Sequence, residues 1–317
     1  LGLALLLSCF TAFTANAQIS VTATAGTLGP TSYSTLTAAF GAINAGTHQG
    51  AITVSITGNV TEAAGTSAFL NSSGNGSASY TSVLVRPTGT GPYTITGTPV
   101  TGRGVIELQG ADNVTINGDI AGGTVGRDLT ITCASATTVN LTSAIRVAVL
   151  ATLAVNGSAD GITISNCNIN GNGTGRNNSS FTSTTNVENS SFGVYCGGLA
   201  SGTANTAPAV LTSVSTNTAA SGTTINNFTL DNCTVNACAR AIFFNGAAAT
   251  VCSGTLTISN NLVGDQATTL SGAPPFTSPA TTVYTKAIFV ACANSVSNTV
   301  NSSKNILIYV STLITCI

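Results

Sequence analysis

The sequence predicts an all-β fold of the parallel β-solenoid kind, and three observations carry that prediction. The first is a repeated stretch, clearest as Gly161-Ile-Thr-Ile-Ser-Asn-Cys-Asn-Ile-Asn170. Its relatives are Asn113-Val-Thr-Ile-Asn117, Asp128-Leu-Thr-Ile-Thr-Cys133, Asn227-Phe-Thr-Leu-Asp-Asn-Cys233, Thr255-Leu-Thr-Ile-Ser-Asn260 and Asn305-Ile-Leu-Ile-Tyr309. The second is the alternation inside each copy, apolar against Thr, Ser or Asp, which is the period of a strand with one face buried and one wet. The third is spacing: the copies recur at irregular intervals separated by polar loops, as stacked coils with loops of different length would require.

Composition supports one domain rather than two, because no segment changes character after the first twenty residues. Charged residues make up only 5% of 317, against about a quarter in ordinary soluble domains. Recurrent Ile, Val, Leu and Phe at period two supply a core that a disordered chain lacks. A net charge of -1 offers no basic face for phosphates, which argues against nucleic acid, and there is no basic amphipathic helix for a membrane surface.

In chain order, Leu1 to Phe13 is an apolar run followed by Ala15-Asn16-Ala17, an A-x-A cleavage pattern. Residues 1–17 therefore have the pattern of a secretory signal, too short to span a bilayer. The chain starts with Leu and lacks a basic n-region, so the signal is expected to be cut at its N-terminus; residues 18–317 form the predicted domain. Ile19 to Thr24 alternates as a strand. Tyr33 to Ile43 is predicted helical, with Ser34 as N-cap and Leu36, Phe40 and Ile43 on one stripe, a helix suited to covering the first coil. Ala51–Thr57, Ser82–Arg86 and Tyr93–Thr96 alternate as the first strands.

From Gly104 a resemblance becomes specific. The segments Tyr33-Ser-Thr-Leu-Thr-Ala-Ala-Phe40, Ile43-Asn-Ala-Gly-Thr-His48, Ala51-Ile-Thr-Val54 and Leu108-Gln-Gly-Ala-Asp-Asn-Val-Thr-Ile-Asn-Gly118 resemble the opening of a family of large right-handed parallel β-helix, pectin-lyase-like surface proteins of gram-negative bacteria exported by the type IX route. It is close over residues 30–135 and generic beyond. It implies a secreted, cell-surface location and a right-handed β-helix, without catalytic residues to transfer. Family members continue to a C-terminal sorting domain, so truncation after Ile317 is expected as well.

The later half adds a second repeated strand: Ala144-Ile-Arg-Val-Ala-Val149, Gly193-Val-Tyr-Cys196, Ala241-Ile-Phe-Phe244 and Ala287-Ile-Phe-Val-Ala-Cys292. With Ile145, Val194, Ile242 and Ile288 inward, the next residues, Arg146, Tyr195, Phe243 and Phe289, point outward. The small residues Ala144, Gly193, Ala241 and Ala287 are placed beside them on the same face. Two readings follow: an open aromatic shelf that receives the apolar face of a sugar ring, or a satellite core covered by the long loops after Gly171, Gly197 and Gly264. The loops themselves are long enough to carry function.

Other candidates are weaker. Thr115, Thr130, Thr163, Thr229 and Thr257 form an outward Thr row; its partners Asn117, Thr132, Ser165, Asp231 and Ser259 make it too irregular for ice, and β-propensity explains it. Asn113, Asp128, Asn227 and Asn305 before the strands, and Asn166, Asn232 and Asn260 after them, suit stacked corners. Asp112, Asp119, Asp128 and Asp160 are the only acidic group that could gather around Ca²⁺, but no Ca²⁺ repeat is present. Eight cysteines follow the signal, at 133, 167, 196, 233, 238, 252, 292 and 316; they read as buried thiols in interior rows, with pairs such as Cys238 and Cys252 left open.

Catalysis is disfavoured. Glycoside hydrolysis wants two carboxylates across one bond, whereas nine carboxylates are scattered over the chain with no Asp-Asp pair. A lyase base at Arg240 or Lys286 has no facing acidic cluster, and the single histidine, His48, follows the capping helix. The function expected is a non-catalytic, adhesin-like module or stalk contacting polysaccharide or a cell-surface partner, with no cofactor and no metal. A polysaccharide lyase or glycoside hydrolase, and a purely structural spacer, are the alternatives.

Overall fold

The structure, a computed structural model, describes residues 17–136, 139, 141–150, 158–172, 191–200, 210–211, 225–238, 240–246, 252–263, 286–292, 299–301, 306–307 and 314–316. The described chain is mostly β, with one helix and three sheets. Strands visit the sheets in rotation. His48–Ile56 belongs to the first sheet, Val60–Thr61 to the second and Ala68–Asn71 to the third. Tyr80–Pro87, Tyr93–Gly97 and Gly104–Gln109 then pair parallel with those three. The same order continues to Thr299–Asn301, Ile306–Leu307 and Ile314–Cys316, so that the second and third sheets are each 7-stranded. This topology of parallel sheets is compatible with an all-β solenoid.

The alternation read from the sequence becomes interior rows. In the first sheet Val54, Val85, Ile116, Ile164, Leu230 and Ile258 stand in register. In the second the row is Val60, Ile95, Ile131, Ile169, Val235 and Val263. In the third it is Ala68, Ile106, Ile145, Val194 and Ile242. All of these side chains are buried in one core. Burial of each Val, Ile or Leu stabilises by about 1.5–3 kcal/mol, and a one-residue slip would turn the whole row to water, so the pattern also sets the register.

The repeated motif turns out to be two strands, not one. Gly161 to Asn170 divides into Thr163–Ser165 in the first sheet and Cys167–Asn170 in the second. Asn166 sits between them with φ 58°. A single residue in the left-handed region bends the chain sharply enough to change sheets, and Asn tolerates that conformation better than other non-glycine residues. Asn232 (φ 50°) and Asn260 (φ 55°) make the same bend in the following circuits. Each circuit therefore carries three strands, one more than the two-part repeat suggests. The Thr row is corrected accordingly: Thr115, Thr163, Thr229 and Thr257 are in register in the first sheet, while Thr130 lies in the second, between Thr94 and Asn168.

The N-terminal end is closed by two devices. Ile19–Gly26 pairs antiparallel with His48–Ile56 and with Thr31–Tyr33. The helix Leu36–Asn44 buries Leu36, Ala39, Phe40 and Ile43, and its N-cap is Thr35, one residue beyond the predicted Ser34. Glu62 completes the cap from the neighbouring circuit. Its carboxylate accepts from the Leu36 N–H at 2.7 Å, the Thr37 N–H at 3.2 Å and the Thr37 hydroxyl at 2.6 Å. At the other end of the helix, Asn44 donates to the Phe69 carbonyl and accepts from the Asn71 N–H, both at 2.9 Å. One amide thus makes the two bonds that a further strand would make on the edge Ala68–Asn71.

The Asn corner gives a direct prediction. Replacing Asn232 by Ala should destabilise by about 2–3 kcal/mol, from left-handed backbone strain plus the lost side-chain bonds to Asn166, Thr124 and Arg127. Asn232→Gly should cost only about 1 kcal/mol, because Gly adopts positive φ freely. Chemical denaturation of both variants checks the order, and an Ala variant as stable as the Gly variant contradicts it.

Candidate functional site

The outer face of the third sheet holds the sequence-predicted residues. Phe69, Glu107, Arg146, Tyr195, Phe243 and Phe289 are successive register partners, so the expected row exists. It is not an open shelf. Arg146 and Tyr195 are 0% exposed and Phe243 is 5% exposed. The side chain of Phe289 lies outside the described residues. Tyr195 and Phe243 stack with ring centroids 5.5 Å apart and an interplanar angle of 8°. Phe192 closes the group at 4.8 Å from Tyr195 and 5.4 Å from Phe243.

With Leu141 and Leu211 these rings form a second apolar cluster, separate from the main core. Leu211 comes from the stretch between the third-sheet strand Ser191–Ala200 and the next circuit. Its backbone N–H donates to the Gly102 carbonyl at 2.9 Å, which fixes Leu211 against the face. The satellite-core reading thus describes this row, for the simple reason that three large side chains on one face would otherwise leave extensive apolar surface in water. The small residues are also corrected. Ala144 and Ala241 belong to the main core, and a Cβ on Gly193 would meet Val235 Cγ1 at 2.2 Å.

Beside the rings, on the preceding strands of the same face, lies a buried ion cluster. Arg103 donates through Nε to Glu107 Oε1 at 3.1 Å, and its second nitrogen lies 2.7 Å from Oε2. The Gly104 N–H adds a bond to Oε1 at 2.7 Å. Arg146 meets Oε1 at 3.4 Å and the Gly102 carbonyl at 3.3 Å. Burial pulls the Arg146 guanidinium below its ordinary range, and the Glu107 charge pulls it back up. Arg240, the register partner of Phe192 and Lys286, lies over the Phe192 and Phe243 rings at 5.9 and 5.5 Å; burial lowers it to about 10. Cations facing ring faces are attracted by the quadrupole, more so where water is excluded. Glu107 and Phe192 were not singled out from the sequence. Phe192 could have been found by its shared repeat position with Arg240 and Lys286, whereas Glu107 had no signal beyond its charge.

The four acidic residues do not gather. Asp119 and Asp128 sit in the turn after Val114–Asn117. Asp119 accepts from the backbone N–H groups of Gly126, Val125 and Ala121, which hold its carboxyl below the usual range. Asp112 and Asp160 stack on consecutive circuits: the Asp160 N–H donates to Asp112 Oδ1 at 2.9 Å, and Asn226 continues the column with its amide on Asp160. Burial, with a smaller push from Asp160, raises Asp112 to about 6, and burial raises Asp160 too. No group of three or more His, Cys, Asp or Glu is placed to hold a metal among the described residues. His48 is buried between the Thr27 carbonyl at 2.6 Å and the Tyr33 hydroxyl at 2.8 Å. Cys133, Cys167, Cys196, Cys233 and Cys238 are buried, as expected, but the expected thiol rows reduce to one stack, Cys167 on Cys233; Cys133 lies in register with Gly97, and Cys196 with Val147 and Phe244. Among the described residues no helix is long and apolar enough to cross a membrane.

No protein-family model, curated protein or solved structure matches the chain.

Two predictions follow from these contacts. Tyr195→Ala and Phe243→Ala should each destabilise by about 3–5 kcal/mol, the loss expected for large buried side chains; surface rings would cost little, and thermal unfolding distinguishes the two. The second concerns pH. A carboxyl raised in the folded state binds its proton more tightly there than in the unfolded chain, so stability falls as pH rises from about 4 through 6. Asp112→Asn should flatten that fall and raise the melting temperature at pH 7; an unchanged profile between pH 4.5 and 7 contradicts it.

Proposed function

We propose that the chain is a right-handed parallel β-helix that works as a secreted or cell-surface stalk of adhesin-like type, without catalytic activity. The observation that supports it best is the continuous parallel pairing of strands from circuit to circuit on all three sheets. Stacked circuits tied by backbone ladders make a quasi-one-dimensional body whose length scales with repeat number, which suits a spacer that holds a terminal region away from a surface. The two other outer faces carry half-buried, uncharged rows such as Thr115, Thr163, Thr229 and Thr257, and Thr94, Thr130 and Asn168. Such hydroxyl and amide rows resist edge-on aggregation less than charge does, yet present hydrogen-bonding groups to a polysaccharide. With Arg146, Tyr195 and Phe243 covered, any contact with carbohydrate or a cell-surface partner falls to these rows and to the long loops.

A second reading, a polysaccharide hydrolase or lyase, is favoured by one observation: Asp112, raised to about 6, lies against a second carboxyl, Asp160. A carboxyl poised near neutrality beside another is the raw material of general acid catalysis. Size-exclusion chromatography with light scattering, on the protein mixed with plant, algal and bacterial polysaccharides, separates the readings. The stalk reading expects polymer mass to be unchanged, with co-elution where a polymer is bound. A polymer whose mass falls, and does not fall with the Asp112→Asn variant, overturns it in favour of the enzyme.

A further inference from the structure

Cys167 opens the second-sheet strand Cys167–Asn170, and Cys233 immediately precedes the strand Thr234–Asn236 of the next circuit, each directly after a left-handed Asn. Their neighbours Asn168 and Thr234 are register partners, so the two cysteines stack. Adjacent strands lie about 4.8 Å apart, inside the roughly 4.4–6.8 Å Cα separation that a disulfide spans. Both thiols are fully buried and free. They point the same way, Cys167 Sγ lying 3.1 Å from the Ser165 carbonyl and Cys233 Sγ 3.3 Å from that of Asp231.

The neighbouring Cys233 thiol, together with burial, raises Cys167 well above the ordinary thiol range. Among the thiol rows this pair is distinctive: Cys133 stacks on Gly97, and Cys196 stacks between Val147 and Phe244. Buried, protonated thiols are poor nucleophiles, so reaction belongs to folding, before the circuits close.

We propose that Cys167 and Cys233 form a disulfide joining consecutive circuits when the chain folds in the presence of a low-molecular-weight disulfide. One cysteine thiolate attacks that disulfide, forms a mixed disulfide and releases one thiol. The other cysteine sulfur then attacks the protein-bound sulfur of the mixed disulfide and releases the second thiol. The two cysteines lose two electrons and two protons; the small disulfide gains both as two thiols. Closing the bridge takes a turn about χ1 and a small approach of the two Cβ atoms, from the roughly 4.8 Å strand spacing to the roughly 3.5–4.5 Å that a disulfide spans. The closed loop contains both the 173–190 and 201–209 stretches, so the bridge would restrict the unfolded chain over a long span and raise stability.

The test folds the full chain from denaturant in parallel, with oxidised and reduced glutathione or with dithiothreitol, then alkylates under denaturing conditions and maps peptides by mass spectrometry. The expected result in the glutathione sample is a linked pair containing Cys167 and Cys233, with a melting temperature several degrees above the reduced sample. Cys233→Ser should abolish the link and leave Cys167 alkylated. Both cysteines alkylated in the wild-type glutathione sample, or either linked elsewhere, overturns the proposal whether or not the variant folds.

Discussion

The structure depends on turning a chain through a sharp bend at the same height on every circuit. At the corner between the first and second sheets the earlier circuits use longer turns, over 57–59, 88–92 and 118–128, whereas from Thr163 onward the bend is made at a single left-handed residue, Asn166, Asn232 or Asn260. The backbone strain of about 1–2 kcal/mol per bend is offset by what the side chain then reaches. Asn166 donates to Asn117 at 2.9 Å, Asn232 donates to Asn166 at 2.7 Å, and Asn260 donates to Asp231 at 2.7 Å. Each of these amides thus bonds a side chain of the preceding circuit, and Asn232 on Asn166 is a direct corner-to-corner rung. Arg127 reinforces it from a turn two circuits earlier, donating to the Asn232 carbonyl at 2.7 Å and to its side-chain oxygen at 2.6 Å. The corner on the other side of the first sheet uses the same conformation at Asn113, Gly161 and Asn227. Once bends recur at equal heights, apolar residues of successive strands fall into rows and the core follows.

A stack of this kind has ends, and the N-terminal one shows how polar groups finish what hydrophobic rows cannot. The helix Leu36–Asn44 covers the apolar end of the core, but its first N–H groups and the strand edge beneath it both need partners. Glu62 supplies the first and Asn44 the second. Neither interaction is a matter of hydrophobic burial, and both join residues 25 or more positions apart in the chain. The covered face of the third sheet follows a related logic: next to the cluster of Leu211, Phe192, Tyr195 and Phe243, the charges of Arg103 and Arg146 are paired with Glu107.

Much of the architecture was legible because it rests on period-two alternation. The strand copies, the interior positions Ile145, Val194 and Ile242, the outward phase of Arg146, Tyr195 and Phe243, and the burial of the thiols could all be read from residue order. Corners were harder. Asn166 lies within a continuous apolar alternation, Ile164, Cys167, Ile169, broken only by one extra residue, and so two strands read as one. Thr130 was grouped with Thr115 for the same reason. Whether the aromatic row was open or covered could not be decided locally, since the answer lay with Leu211, 16 residues beyond Tyr195 and without any repeat pattern of its own. The stacking of Asp112 on Asp160 was likewise hidden, because an intervening turn and third-sheet strand separate two residues that become neighbours only when circuits align.

The central claim is that consecutive circuits stack in register through the amide column, and a double-mutant cycle between Asn166 and Asn232 tests it most directly. These residues are 66 positions apart and joined by one 2.7 Å bond. Replacing each by Gly keeps the left-handed corner while removing the amide. The account predicts that the double variant loses less stability than the sum of the single losses, with a coupling of about 0.5–1.5 kcal/mol. Strictly additive losses would mean that the two corners do not touch, and the stacked arrangement would be wrong.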